Sequence, residues 1–140
     1  MAEHIRYVHL QPEDDLPVLQ MQCPFRAVLV LEESIGAFWQ ASVSQWLVES
    51  GCLYALAVGV GCSSWDDSID IANLEKFDYG DIPEDQAVTT TWHEDETLPE
   101  VFSFSKHHAL HPTQLLQSTV LVHIATAPRE AKLLAAYADA

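Results

Sequence analysis

Residues 27–61, AVLVLEESIGAFWQASVSQWLVESGCLYALAVGVG, decide the fold. Ala27–Leu31 is an unbroken, mostly branched apolar run, the pattern of a strand covered on both faces. Ser34 is placed to cap a helix on which Ile35, Phe38, Trp39, Val43, Trp46 and Leu47 recur at helical spacing. Gly51 supplies the left-handed residue that commonly ends a helix. Leu53–Val60 is then a second buried strand, bounded by Gly59 and Gly61. Strand, helix and strand with short joints make a βαβ unit with parallel strands, and these two strands should be adjacent and central.

Working outward, the pattern repeats downstream. Ser64 with Asp67 forms a capping-box spacing ahead of a helix over Trp65–Phe77, and Asp78–Asp85 is a turn-rich acidic loop. Ala87–Trp92 is rich in β-formers and predicts a third strand. Thr97 and Glu100 form another capping box, opening a helix through about Ala109. Thr119–Ile124 predicts a further strand, and Pro128–Ala138 a terminal helix with Leu133, Leu134 and Tyr137 on one face. Upstream, Arg6–Leu10 alternates as an edge strand would, and Gln11–Pro17 is a solvated loop with two prolines. The expected fold is a single α/β domain over residues 1–140, with an edge strand and loop in 1–25 and the core in 26–140. Its architecture is a three-layer sandwich, a mainly parallel sheet of four to five strands with helices on both faces.

Composition bounds the function. The chain has 140 residues, 49% of them hydrophobic, enough to bury a core without a disulfide or metal staple. Its 21 acidic residues against 6 basic ones give a formal net charge of −15. That balance excludes direct nucleic-acid binding through phosphates, which needs clustered lysine and arginine, and disfavours an anionic membrane surface. No apolar stretch approaches the ~20 residues that span a bilayer, and no basic and apolar leader opens the chain. Cys23, Cys52 and Cys62 are an odd count without a CxxC pair, as expected of reduced thiols in a cytoplasm.

In open α/β sheets, sites form at the carboxyl ends of the strands. That rule selects Gly61–Asp67 and Trp92–Glu96. An enzyme would use Cys62 as nucleophile, His93 as its base, and an acid such as Asp66 to orient the imidazole. Helix capping by Ser64, Asp66 and Asp67, with Cys62 as a small buried hydrophobe, explains the same residues without chemistry. A metal could draw on His93, Glu94, Asp95, Glu96, Asp66 and Asp70, but their spacing matches no established ligand pattern, and no metal or cofactor is expected. His107, His108 and His111 group near a helix end, where such side chains ordinarily serve the dipole. Gly59-Val-Gly61 lacks the third glycine of a dinucleotide fingerprint.

The charge distribution says more. Asp66, Asp67, Asp70, Glu75, Asp78, Asp81, Glu84, Asp85, Glu94, Asp95, Glu96 and Glu100 fall between Trp65 and Glu100, against Lys76 alone. Carboxylates around the aromatic residues Trp65, Tyr79 and Trp92 are how an acidic protein would recognise a basic one, with charge setting the on-rate and buried rings holding the complex. His93 falls within the same surface. Solubility alone is the plainer explanation of such charge.

The words Ser50–Tyr54, Cys62–Ser68, Ala72–Glu75, Phe77–Pro83 and Thr90–Glu96 together resemble a family of small, acidic, uncharacterised bacterial proteins over roughly residues 25–138. The resemblance implies a bacterial source and a stand-alone domain, and carries no activity with it. In size, acidity and α/β alternation the chain is also similar to barstar-like immunity proteins, in physical character and without a shared motif. The expected function is a cytoplasmic inhibitor of a basic partner, most simply an immunity protein against a toxin nuclease whose phosphate-binding cations it would occupy. The alternatives are an enzyme or metal protein built on Cys62, His93 and nearby carboxylates, and a homo-oligomeric module without a separate ligand.

Overall fold

The computed structural model describes residues 4–140. Five strands, β1 (His4–Leu10), β2 (Phe25–Leu31), β3 (Cys52–Gly59), β4 (Thr89–Trp92) and β5 (Ser118–Ile124), form one all-parallel sheet in the order β1-β5-β2-β3-β4. Four helices connect or follow them: α1 (Ala37–Ser50), α2 (Trp65–Lys76), α3 (Leu98–His107) and α4 (Glu130–Asp139). The expected three-layer α/β sandwich is therefore the fold, with the two strands of the deciding stretch adjacent in the sheet interior as β2 and β3.

Alternation of side chains along the strands sorts the core into two layers. Ala27, Leu29, Leu31, Ala55 and Ala57 meet Trp39, Val43 and Leu47 of α1 and Trp65 and Ile69 of α2. Val28, Val30, Leu56 and Leu121 meet Val101 and Phe102 of α3 and Leu133 and Tyr137 of α4. β2 is buried along its whole length because helices cover both of its faces. Trp39 and Trp46 also donate their indole N–H groups to the carbonyls of Asp14 and Pro17 (2.9 and 2.6 Å), pinning the loop after β1 onto α1.

Two glycines do conformational work. Gly51 ends α1 at φ 104°, its N–H reaching back to the carbonyls of Leu47 and Val48. Gly59 ends β3 at φ 107°, where an added Cβ would stand 2.1 Å from the carbonyl oxygen of Leu31. The Val60 N–H then bonds that same carbonyl (3.0 Å), closing the end of β3 against β2.

Four local expectations are corrected. Ser34 does not cap α1: the helix starts two residues after Ile35, with Gly36 at the cap and no side-chain cap bond. Phe38 is 94% exposed, because the buried stripe runs through Trp39, Val43 and Leu47 and leaves Phe38 beside it. Ser64 and Asp67 form no capping box. A 3-10 turn, Cys62–Ser64, precedes α2, and the Ser64 hydroxyl is occupied by donating to the Gly61 carbonyl (2.8 Å). The third strand is shorter than expected, Thr89–Trp92, because the Val88 N–H bonds the Asn73 side chain (3.0 Å) instead of the sheet. The Thr97 cap holds: its hydroxyl accepts from the Glu100 N–H at 3.3 Å.

Candidate functional site

The carboxyl ends of the strands carry two groups of polar residues on different parts of the rim. At β4, the His93 N–H bonds the Ala57 carbonyl (2.9 Å) and turns the chain off the sheet. The His93 ring is buried. Its Nε2 meets Thr91 Oγ1 at 2.9 Å, its Nδ1 meets Glu96 Oε2 at 2.9 Å, and its edge packs on Phe104 of α3 at 4.8 Å between centroids. Cys62 is also buried, but within the α1–α2 layer beside Trp65 and Ile69. The nucleophile and base of the enzymatic reading thus have separate surroundings, and both imidazole nitrogens are spent elsewhere. Asp66 is half-buried at the start of α2 and makes no bond to His93. Among the described residues no group of three or more His, Cys, Asp or Glu side chains is arranged to hold a metal ion.

The acidic segment runs through α2 and the chain on either side of the edge strand β4. α2 packs beside β4 and presents Asp67 and Asp70 to solvent, while Glu75 is exposed on the side of α1, where it accepts from Gln45 Nε2 at 2.8 Å. The loop that returns to β4 carries exposed Asp78, Asp81, Glu84 and Asp85, and Glu94, Asp95, Glu96 and Glu100 are exposed where the chain leaves it. Eleven of the twelve carboxylates are exposed and Asp66 is half-buried, and among the described residues none is paired with a lysine or arginine. Partial desolvation, followed by repulsion from Asp66 and Asp67, holds the Asp70 carboxyl above its ordinary range. The uncompensated charge is therefore felt within the fold.

The aromatic residues of this segment divide. Tyr79 is 64% exposed, on a backbone in the left-handed region at φ 61°, and Trp92 is 44% exposed on the edge strand. Trp65 is 1% exposed and belongs to the core between sheet and helices, so its indole is unavailable as a contact anchor. That is a correction to its place in the expected surface. His93, buried against Phe104, likewise orders the turn after β4 without presenting its ring to solvent.

A second cluster, at the ends of β1, β5 and β2, is absent from the sequence reading. His123, fully buried on β5, has Nδ1 2.7 Å from the Tyr7 hydroxyl of β1 and Nε2 hydrogen-bonded to Glu32, the first residue after β2. The Arg129 side chain donates to the same Glu32 carboxylate oxygen at 2.6 Å, and its backbone N–H donates to the Tyr7 hydroxyl at 3.0 Å. Every group is matched when Tyr7 O–H donates to Nδ1 and Nε2–H donates to Glu32. Burial raises the Tyr7 hydroxyl above its ordinary value. The bonds from His123 and Arg129 outweigh desolvation at Glu32 and hold its carboxyl below the ordinary range. Four residues scattered from 7 to 129 signal nothing until β5 is known to lie between β1 and β2.

A small cleft of about 190 Å³ opens at the ends of β2 and β3, between Ser34, Gln40, Gly61 and Ser64. Its hydroxyls are committed: Gln40 donates to Ser64 Oγ at 3.0 Å, and Ser64 donates to Gly61. No helix among the described residues is long and apolar enough to cross a membrane.

Comparison with known proteins adds one positive finding. The family model described as a domain of unknown function, DUF7684, matches residues 5–140. No curated protein and no solved structure matches the chain.

Proposed function

The chain belongs to that family of unknown function, and on this footing we propose that it is an acidic binding protein that occupies the cationic surface of a basic partner. The observation that carries the reading is the set of exposed carboxylates, unpaired with lysine or arginine among the described residues, on α2, the loop before β4 and the turn after it, with Tyr79 exposed on that loop and Trp92 on the edge strand itself. Such a surface raises the encounter rate with a basic protein, and its two rings are available as anchors. The partner we infer is an enzyme that handles phosphates, most simply a toxin nuclease, since it must display the clustered cations this face complements. The chain is then its immunity protein, acting in the cytoplasm of a bacterium.

The test is kinetic. A partner captured on the immobilised chain at low salt should associate ever more slowly as the Debye length falls from about 30 Å at 0.01 M salt to about 8 Å at 0.15 M. Replacing Asp81, Glu84, Asp85, Glu94 and Glu96 together by Asn or Gln should slow association by about one to two orders of magnitude. Truncating Trp92 or Tyr79 should instead speed dissociation. Stoichiometric loss of the partner's nuclease activity supports the immunity role. An association rate indifferent to both salt and the five neutralised carboxylates overturns the reading.

A further inference from the structure

β4 closes the sheet on one side, and only its inner side is paired. In a parallel ladder the N–H and C=O of one residue point the same way, and successive residues alternate. The His93 N–H bonds the Ala57 carbonyl of β3, and so His93 and Thr91 face the sheet while Thr90 and Trp92 turn their N–H and C=O groups outward. No backbone or side-chain bond from the described residues fills those outward positions. The edge thus offers a short, unpaired hydrogen-bonding rail.

From this rail we propose that the partner docks by adding an extended, lysine- or arginine-bearing segment alongside β4 as a sixth strand. The inference rests on the acidic-binding reading above and specifies how that partner engages. Side chains of an added strand alternate between the two faces of the sheet. On one face they run beside α2, which packs on β4 and exposes Asp67 and Asp70, and on the other beside the turn after β4, where Glu96 is exposed next to His93. Cations at either parity therefore find carboxylates. Trp92, aligned with Ala57, stands on the α2 face of the same edge and gives the incoming strand an apolar contact. A second copy of this chain is the wrong occupant, because it would bring its own acidic rim and a net charge of −15 against an identical one. Main-chain bonds supply affinity in such strand addition, and flanking side chains supply selectivity.

A heptapeptide alternating lysine and valine is the probe, read by the backbone amide resonances of Thr90 and Trp92 in the full chain. It should bind saturably, shift those two resonances most, and weaken as salt rises. The same peptide with N-methyl groups along its pairing edge should bind at least tenfold more weakly, because charge is kept and the ladder is lost. Thr90→Pro, which removes an outward donor and leaves the groups that β4 pairs with β3 in place, should give a similar loss while the remaining spectrum stays folded. Equal binding of methylated and unmethylated peptides overturns strand addition and leaves charge recognition standing. Equal binding of a version with glutamate in place of lysine overturns charge recognition itself. Absence of saturable binding, shifts centred on β1, or a chain dimer abolished by Thr90→Pro each overturn the inference.

Discussion

His123 buries an imidazole near the carboxyl end of β5, and the fold accepts it because Tyr7 and Glu32 match both nitrogens. Tyr7→Phe removes a partner from His123 and from the Arg129 N–H together, and should cost about 1–3 kcal/mol in urea unfolding. Glu32→Gln keeps an acceptor and loses the charge. Because the folded-state carboxyl of Glu32 is held below its unfolded value, its contribution is present above the ordinary carboxylate range and is lost as pH falls through the lowered value. The deficit of Glu32→Gln, no more than about 1 kcal/mol given solvent screening, should therefore shrink as the solution is acidified. A deficit that grows on acidification would contradict the assignment. The thiols offer a separate check. Burial pushes Cys52 up to about 12, Cys62 is also buried, and Cys23 alone is exposed. Native protein should show one fast thiol, and denatured protein three.

At the scale of elements, the stretch around Ala27–Gly61 was legible because continuous apolar runs and a terminating glycine have few alternative readings. Helix starts were not, since a serine before an apolar stripe is compatible with several frames. Ser34 lies two residues ahead of the actual cap, Gly36, and Ser64 belongs to the 3-10 turn before α2, whereas Thr97, extended at φ −83° and ψ 160°, caps as its spacing predicts. Thr97→Ala should cost about 1 kcal/mol, measurable in the same unfolding experiment. Gly59→Ala is the harsher substitution. It adds a Cβ into the Leu31 carbonyl at a backbone angle that side chains rarely adopt, and should destabilise by about 2 kcal/mol or more. A Gly59→Ala protein as stable as the native chain would mean that β3 does not end where the glycine places it.

For the molecule as a whole, the acidic segment was legible as charge but not as a surface. Composition counts carboxylates, whereas only the strand order reveals that the strand their segments flank is an edge, and only packing tells that Trp65 is interior while Trp92 is not. Strand order also created the Tyr7–His123–Glu32 cluster, which no local spacing announces. The same distribution makes a claim about the isolated chain. The exposed carboxylates carried by α2 and the segments flanking β4 repel one another in the folded state more than in an expanded one. Added salt should then raise the unfolding temperature of the native protein over the range where the Debye length shortens to about 8 Å. Neutralising Asp81, Glu84, Asp85, Glu94 and Glu96 should raise that temperature at low salt and flatten its salt dependence. Asp70→Asn should act in the same direction by about 0.5 kcal/mol or less, since its carboxyl is held up partly by Asp66 and Asp67 and is open to solvent. If the five-fold variant is instead less stable at low salt, the carboxylates are paired within the fold and the surface is not free to meet a cationic partner. If it is more stable, the native chain retains a repulsive surface at a cost to its own stability, as expected of a surface kept for binding.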